Sequence, residues 1–293
     1  MSEIKEGLSI VIPVYNEEKS IHETIEFFKT LIEKTQNLEV IFVDDGSTDK
    51  TSDILKSFAA DRISLLIHER NKGYGAAIKS GVAIATYDYI AITDADGSYP
   101  HEKVLELFKM LMERNVDMVV GARIGKAVKM GFFRKLAKYF LKRLAEFLTD
   151  CSIPDLNSGL RIVRKELIQK FMKFLPDRFS FTSTLTLLLL TNNYKIFYYP
   201  INYYRRTGQS KIRPLKDTLN FIQLIVRTVM FFNPLKVFLP VSLFFMFLSL
   251  VVLVVSYLRG KIMDITTILL FVTGLHLLAL GLLADLIDKR LNR

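Results

Sequence analysis

The stretch from Tyr89 to Pro100 reads YIAITDADGSYP and places two aspartates directly after an apolar run. Side chains two positions apart in an extended segment point to the same side, so we expect Asp94 and Asp96 to lie close together. Two carboxylates at such a separation repel each other unless a proton or a cation lies between them. The stretch therefore predicts a strand that ends at a divalent metal.

Spacing and composition narrow the kind of metal site. An EF-hand loop starting at Asp94 would need glycine at its sixth position and glutamate at its twelfth, but Gly97 is fourth and Leu105 is twelfth. Four scattered histidines and one cysteine give no zinc constellation. The remaining class is a hard cation, Mg²⁺ or Mn²⁺, which binds through one or two carboxylates and phosphate oxygens.

Strand-like and helix-like segments alternate around this stretch. Short apolar runs rich in β-branched residues predict strands buried on both faces; they span residues 8–15, 38–45, 63–69, 89–96 and 116–122. Helix-like stretches occupy 17–34, 48–60, 75–85 and 101–114. This order predicts an α/β fold with a mostly parallel sheet, which binds ligands beyond the carboxyl ends of its strands. The clusters PVYNEE, DDGSTD and DADG fall at such ends.

The end of the chain predicts a membrane anchor. Val237 to Leu258 carries no ionisable residue, and Ile265 to Ala284 carries only His276. About 20 helical residues cover the roughly 30 Å hydrocarbon core of a bilayer, so we expect a two-helix transmembrane hairpin. The amphipathic stretch from Lys129 to Leu148 fits an interfacial helix as well as a helix over a soluble core, and we favour the interface. Residues 212–232 predict a second interfacial helix.

Charge is unevenly distributed along the chain. The formal net charge is +10, yet residues 1–122 are net acidic and the excess of Lys and Arg lies in residues 123–233. An acidic first half argues against a nucleic-acid partner. Basic residues before membrane spans favour the cytoplasmic side. We therefore expect an integral protein of the cell membrane with its first 233 residues in the cytoplasm.

Six motifs together resemble the family 2 glycosyltransferases of GT-A fold. In chain order they are IPVYNEE at 12–18, VDDGSTD at 43–49, RNKGYGAAIKSG at 70–81, DADGSYP at 94–100, NSGLRIVRKE at 157–166 and RRTGQSKI at 205–212. The last two motifs, followed by a membrane segment, are similar to those of dolichyl-phosphate mannose synthase and bacterial polyprenyl-phosphate glycosyltransferases. The likeness covers roughly residues 8 to 235. In contrast, no GxGxxG dinucleotide motif follows the first strand.

The resemblance implies a nucleotide-diphosphate sugar as donor and a divalent metal as cofactor. The donor positions that it implies are Pro13, Tyr15, Asn16, Glu17, Asp44, Asp45, Lys72, Gly73, Asp94, Ala95 and Asp96. The first four would surround the nucleoside, and Asp44 or Asp45 would contact the base. Asp94 and Asp96 would approach the ribose and the metal. Ser98 stands where some relatives carry a glutamine ligand, so it could ligate only through its hydroxyl or a water.

The resemblance also implies a polyprenyl or dolichyl phosphate as acceptor. The cationic positions assigned to the phosphates are Arg123, Arg134, Lys138, Arg205 and Lys211. Arg205 counts among the catalytic residues with Asp94, Asp96 and Asp155. Lys138 replaces a serine that is frequent in the family. Asp155 is either a base, an orienting carboxylate, or a loop aspartate that caps the following turn.

The expected function is transfer of a single sugar, with inversion and with Mg²⁺ or Mn²⁺. One alternative is a processive polysaccharide synthase, although that group carries a QxxRW motif and this chain has no tryptophan. Another is a non-catalytic membrane adaptor, against which the intact acidic and basic motifs speak. The expected domains are a glycosyltransferase domain at 1–211, an interfacial helix at 212–234 and an anchor at 235–293. The hairpin leaves room for a homo-oligomer.

Overall fold

A computed structural model of the chain describes residues 7–58, 61–123, 142–143, 145–147, 149–178, 180–204, 230, 234–260 and 265–291. The chain divides into two units. The first combines Met1–Lys138 with Ser152–Asp217, and the second combines Tyr139–Cys151 with Thr218–Arg293. The domain boundaries expected at residues 211 and 234 remain predictions, since residue 211 lies outside the described residues.

The first unit is built on a seven-stranded sheet. Its strands are β1 (Leu8–Val14), β2 (Leu38–Asp44), β3 (Ile63–Ile67), β4 (Tyr89–Ile92), β5 (Met118–Arg123), β6 (Arg161–Arg164) and β7 (Ile196–Ile201). Their order across the sheet is β3-β2-β1-β4-β6-β5-β7. Strand β6 runs antiparallel to both of its neighbours, and all other pairs are parallel. The mostly parallel sheet predicted from the sequence is confirmed.

All five predicted strands are present because each is an apolar run; the central ones are buried on both faces, whereas β3 at the sheet edge has no fully buried residue. Residues of β1, β2 and β4 are almost entirely inaccessible, and burying each large aliphatic side chain contributes about 1.5–3 kcal/mol. Two further strands, β6 and β7, were not predicted. Strand β6 has only four residues and an arginine at each end, and β7 is partly exposed at the sheet edge. Neither has the continuous apolar pattern of a central parallel strand.

The predicted helices of the first unit are also present. They are α1 (Ile21–Lys34), α2 (Thr51–Ser57), α3 (Tyr74–Ile84) and α4 (Val104–Arg114), which follows a 3₁₀ turn at His101–Lys103. The helices α5 (Lys165–Phe171) and α6 (Phe181–Thr191) complete the unit. Helix α1 begins four residues later than expected, because Glu17 accepts the backbone N–H groups of Ser20 and Ile21 in a turn.

The strand register brings the predicted clusters to one edge of the sheet. Val14 pairs with Asp44, and Val11 of the same strand pairs with Ile92. The loops that follow β1, β2 and β4 therefore leave the sheet on the same side. Because β6 is reversed, the residues that precede Arg161 also lie at this edge. The candidate site is assembled from these loops.

The second unit contains two long apolar helices, α7 (Leu235–Leu258) and α8 (Ile265–Leu291). Spans of 24 and 23 residues within them have mean hydropathies of 2.8 and 2.2, so both are long and apolar enough to cross a bilayer. The predicted pair of C-terminal apolar helices is confirmed. The two predicted interfacial helices lie almost entirely outside the described residues.

Serines spaced seven residues apart join the hairpin. Ser242, Ser249 and Ser256 are buried although most of α7 is exposed. The Ser242 hydroxyl donates to the carbonyl of Gly274 at 2.8 Å, and the Ser249 hydroxyl donates to that of Thr267 at 2.8 Å. Small residues allow the two helices to approach closely, and hydroxyl groups add bonds that apolar side chains cannot make.

Candidate active site

The loop that follows β4 holds its two aspartates in defined positions. Asp94 is half-buried, whereas Asp96 and Ser98 are buried. Asp96 Oδ1 accepts the backbone N–H of Ser98 at 3.0 Å and the Ser98 hydroxyl at 2.5 Å. Ser98 therefore fixes the orientation of the Asp96 carboxylate. Its predicted role as a direct metal ligand stays a prediction.

Three neighbours hold Asp94. The Tyr74 hydroxyl donates to Asp94 Oδ1 at 3.0 Å, and His101 Nε2 lies 3.0 Å from the Asp94 carbonyl oxygen. A carbonyl can only accept, so His101 Nε2 carries the hydrogen, and burial lowers the pKa of His101 and keeps the ring neutral. On the other side, a Cβ added to Gly159 would lie 2.8 Å from Asp94 Oδ2. A side chain at residue 159 would therefore displace the carboxylate.

The oxygen donors of this loop suit a hard divalent cation. Within the described part of the chain, no cluster of three or more His, Cys, Asp and Glu side chains has metal-holding geometry. Two carboxylates are nevertheless a sufficient protein contribution for Mg²⁺ or Mn²⁺, since such ions complete their shell with waters and substrate phosphates. Asp94 and Asp96 are the side chains that would hold the ion.

Asp44 and Asp45, at the end of β2, hold the neighbouring loops in place through hydrogen bonds. Asp44 accepts the backbone N–H of Ser47 at 3.0 Å and the hydroxyl of Ser52. Asp45 Oδ1 lies 2.7 Å from His68 Nδ1, and His68 Nε2 lies 3.0 Å from Ser80 Oγ. Both carboxylates are buried. A base contact by Asp44 or Asp45 stays a prediction.

Asp45 also binds the loop that carries Lys72 and Gly73. Its two oxygens accept the backbone N–H groups of these residues at 2.9 and 2.8 Å. Gly73 has a φ of +113° and an added Cβ would meet the Asp177 carbonyl at 2.6 Å, so both the backbone conformation and the space require glycine. The predicted donor residues Asp45, Lys72 and Gly73 thus lie together.

The loop after β1 is joined to the loop after β2. Asn16 has a φ of 54°, its backbone N–H donates to Ser47 Oγ at 2.9 Å, and its side-chain oxygen accepts the N–H of Thr48 at 2.8 Å. The N–H of Glu17 donates to Thr51 Oγ1 at 2.9 Å. Pro13 and Tyr15 are half-buried in the same segment. Asn16 and Glu17 are therefore joined to the DDGSTD turn by hydrogen bonds, and Pro13 and Tyr15 precede them in the same segment.

Arg123 and Asp155 form a bidentate ion pair. Arg123 Nε donates to Asp155 Oδ2 at 2.7 Å and Nη2 donates to Oδ1 at 2.8 Å, while the Arg123 backbone N–H donates to Oδ2 at 3.1 Å. Burial opposes ionisation of both groups, but their mutual hydrogen bonds outweigh it. The pKa of Arg123 is raised and the pKa of Asp155 is lowered. Asp155 is therefore a weak base.

The remaining predicted phosphate-binding residues lie outside the described residues; they are Arg134, Lys138, Arg205 and Lys211. The described stretch 180–204 ends at Tyr204, whose backbone N–H donates to the Ser98 carbonyl at 3.0 Å. The Tyr203 ring packs edge-on against Tyr99 at 5.3 Å, and Arg123 lies 5.3 Å from the Tyr203 ring centre. The segment that leads to Arg205 thus reaches the loop of Asp94 and Asp96.

Comparison with known proteins identifies the family. The profile described as "Glycosyl transferase family 2" matches residues 9–172, more than half of the chain. The chain belongs to glycosyl transferase family 2. A second profile, "GtrB C-terminal hairpin", matches residues 233–289. Two separate parts of this family 2 protein, residues 9–172 and residues 233–289, thus each match a known family.

Individual relatives differ in how much of their length is matched. The "Uncharacterized glycosyltransferase YkcC" of Bacillus subtilis is 34% identical over 173 residues, which cover 58% of this chain and 53% of the relative. The "Dolichyl-phosphate hexose transferase" of Haloferax volcanii is 29% identical over 210 residues, covering 71% of this chain and 88% of the relative. The "Low-salt glycan biosynthesis hexosyltransferase Agl6" of Haloferax volcanii is 28% identical over 220 residues, covering 74% of this chain and 52% of the relative. The chain thus spans about half the length of this relative and of YkcC.

A solved structure shares the fold. Glucosyl-3-phosphoglycerate synthase from Mycobacterium tuberculosis, in complex with Mn²⁺, UDP-glucose and phosphoglyceric acid, superimposes with a TM-score of 0.59 and 20% sequence identity. The match covers 76% of this chain and 79% of that one. The GT-A-like architecture of this family 2 protein is therefore confirmed at the level of the fold.

Two residues whose roles were not predicted from the sequence, Tyr99 and Arg161, support the candidate site of this family 2 protein. Tyr99 accepts the backbone N–H of Gly159 at 2.7 Å, and burial raises the pKa of Tyr99, which keeps it protonated. Arg161 is completely buried, and its guanidinium donates to the carbonyl of Ser158. An arginine in the middle of the NSGLRIVRKE motif gives no sequence signal of burial, since arginine is among the least buried residue types.

Proposed function

We propose that this chain is a membrane-bound glycosyltransferase that transfers a single hexose from a nucleotide-diphosphate sugar to a polyprenyl or dolichyl phosphate, with inversion at the anomeric carbon. The observation that carries the proposal is the pair Asp94 and Asp96, presented beside the loops of β1 and β2 in a family 2 chain that ends in an apolar hairpin. The name of the Haloferax volcanii relative supports a dolichyl-phosphate acceptor and a hexose donor.

The donor half of the reaction depends on charge. A nucleoside diphosphate leaves with additional negative charge on its phosphates, and a divalent cation held by Asp94 and Asp96 would supply Lewis-acid stabilisation of that charge. Mn²⁺ and UDP-glucose in the solved relative support this assignment. The half-buried residues Pro13, Tyr15 and Asn16 are suited to the nucleoside, which exposes an apolar face and polar edges.

The acceptor half needs cations more than it needs a base. The attacking phosphate oxygen is already largely ionised near neutral pH, because the second pKa of a phosphate monoester is about 6. Asp155, with its lowered pKa, is accordingly assigned to holding Arg123 rather than to proton removal. Asp155 engages Nε and Nη2 of Arg123, and we assign Nη1 to the acceptor phosphate. Arginine suits this task because its planar fork binds phosphate strongly.

Position relative to the bilayer follows from the hairpin. Helices α7 and α8 would cross the cell membrane, with the first unit on the cytoplasmic side. The basic segment between residues 123 and 233, including Arg134, Lys138, Arg205 and Lys211, would lie near anionic headgroups and the acceptor phosphate. This arrangement lets a lipid-bound acceptor reach a water-soluble donor without leaving the bilayer.

Purified full-length protein in phospholipid vesicles tests the proposal. It is incubated with UDP-glucose, GDP-mannose or UDP-GlcNAc and a polyprenyl phosphate, in Mn²⁺, Mg²⁺ or excess EDTA, beside the Asp96→Asn variant. A single-sugar glycolipid that requires metal and is lost in Asp96→Asn supports the proposal, and the anomeric configuration of the product tests inversion. A long polymer would instead indicate a processive synthase, and no product with any donor would indicate an adaptor. The Asp177→Asn variant, altered at an exposed carboxylate, serves as the matched control.

A further inference from the structure

Arg161 carries a buried positive charge that no carboxylate of the described chain pairs with directly, although the charge of Asp155 attracts it. Arg161 is 0% exposed, and its hydrogen bonds all go to neutral oxygens. Nε and Nη2 donate to the Ser158 carbonyl, and Nη1 donates to the Thr182 carbonyl at 2.6 Å and to Thr186 Oγ1 at 3.0 Å. Among the described residues, no carboxylate forms an ion pair with Arg161.

Such an arrangement is electrostatically unfavourable by itself. A buried charge loses its hydration, and hydrogen bonds to neutral oxygens replace only part of that loss. Burial lowers the pKa of Arg161, but a guanidinium remains protonated in proteins. A buried methionine or leucine would fill the same space without this cost. Asp155 attracts this charge but is already paired with Arg123, so a further anion near the site would be favourable for Arg161.

The sheet places Arg161 directly behind the candidate site. Arg161 pairs with Ile92 of β4 and with Val120 of β5, so it lies between the strands that deliver Asp94 and Arg123. Two residues before it, Gly159 contacts the Asp94 carboxylate. The strand pairing thus places Arg161 next to the loop where a diphosphate would meet the two aspartates, and its guanidinium interacts electrostatically with Tyr74, which donates to Asp94.

Charge balance indicates which ligand the guanidinium serves. The ion pair of Arg123 and Asp155 is neutral as a unit, and a divalent cation would balance Asp94 and Asp96. Arg161 is then the excess positive charge among these described groups. Because the two aspartates already match the charge of the cation, the negative charge of a bound diphosphate would find its counterpart in Arg161.

We propose that Arg161 is an electrostatic positioning residue that favours binding of the nucleotide diphosphate from beneath the site, without touching it. This inference rests on the proposed function. Its alternative is a purely structural role, in which the guanidinium only holds the Ser158 carbonyl and the loop above it. A structural role would affect every ligand of the site alike, whereas a charge acts in proportion to the charge of the ligand.

Thr186 offers a way to cancel the charge while Arg161 stays in place. A carboxylate at this position, in Thr186→Asp, would lie beside Nη1 and convert the isolated cation into an ion pair. The neutral and isosteric Thr186→Asn variant is the matched control. For a ligand charge on the order of 10 Å away and an effective dielectric constant of about 20, loss of one unit charge weakens binding roughly tenfold per ligand charge.

The experiment measures dissociation constants of the full-length protein in detergent with Mn²⁺. The ligands are UDP, UMP and uridine, and in parallel GDP, GMP and guanosine; titration calorimetry serves the nucleotides and ligand-observed NMR the nucleosides. We expect Thr186→Asp to weaken diphosphate binding by about tenfold for each unit of net negative charge that Mn²⁺ leaves on the ligand, monophosphate binding by less, and nucleoside binding by under about twofold. Thr186→Asn should stay within about twofold of wild type for all ligands.

A second variant keeps the inference testable if Thr186→Asp does not fold. Arg161→Gln removes the charge and retains hydrogen-bond donors, and it should show the same dependence on ligand charge. An equal loss for diphosphate and nucleoside, or no loss in either charge-altering variant, would overturn the inference while leaving the proposed function standing. Failure of the wild-type protein to bind either diphosphate would overturn the proposed function together with the inference.

Discussion

Replacing Asp155 by asparagine tests the ion pair that anchors Arg123. The substitution keeps the shape of the side chain but removes its negative charge, so the Arg123 guanidinium loses its ionic partner. Removing one member of a fully buried pair costs about 3–5 kcal/mol. Here the Arg123 side chain is 27% exposed and that of Asp155 is 10% exposed. Solvent therefore screens part of the loss, and we expect about 2 kcal/mol for Asp155→Asn.

The assay is thermal unfolding of the first unit, followed by near-ultraviolet circular dichroism of its tyrosines. For a unit of about 200 residues, 2 kcal/mol corresponds to a decrease in Tm of roughly 6 °C. Asp177→Asn is the matched control, because Asp177 pairs with Lys79 at 2.6 Å but its side chain is 66% exposed. That variant should lose about 1 kcal/mol or less. If Asp155→Asn lowers the Tm no more than Asp177→Asn does, the ion pair does not stabilise the fold as argued.

Three further predictions concern the same site. Ser98→Ala should raise the Mn²⁺ concentration needed for half-maximal transfer by about tenfold, because the Asp96 carboxylate loses the hydroxyl that orients it; an unchanged metal titration would contradict this. Gly159→Ala should lower kcat/KM by about a hundredfold, because its Cβ would displace Asp94; activity near the wild-type value would show that the loop adapts. The lowered folded-state pKa of Asp155 stabilises the protein fully above the ordinary carboxyl value of about 3.9, and this contribution is lost as the pH falls through the folded-state pKa. The Tm difference between wild type and Asp155→Asn should therefore be constant from pH 7 to 5 and shrink below about pH 4.

The central strands and their loops could be predicted from the sequence because burial on both faces leaves a continuous apolar pattern. Strand β6 could not, since its short run RIVR begins and ends with arginine. Its position depends on pairing with β4 and β5, which lie far from it along the chain. Pairing between strands that are far apart in the sequence leaves no local sequence pattern from which it could be predicted.

The candidate site also contains some residues whose role could be predicted from the sequence and others whose role could not. Asp94 and Asp96 could be predicted to act together because their spacing is local to one strand end. The ion pair between Arg123 and Asp155 joins residues 32 positions apart, and Asp155 alone had three readings. Arg161 gave no signal, because whether a guanidinium is buried depends on helix α6 packing over β6. Site residues that are close together in the sequence could thus be predicted, whereas contacts between residues far apart in the sequence required the structure.

The reversed strand β6 brings a later stretch of the chain to the sheet edge that carries the loops after β1, β2 and β4. Residues before position 100 carry most of the roles assigned to the donor, whereas β5 and the segments that follow it carry those assigned to the acceptor, apart from Arg161 of β6. A chimera that keeps the first hundred residues and takes the later portion from a relative should then retain nucleotide preference while adopting a new lipid preference. Evolution could diversify carriers in this manner without rebuilding the nucleotide pocket.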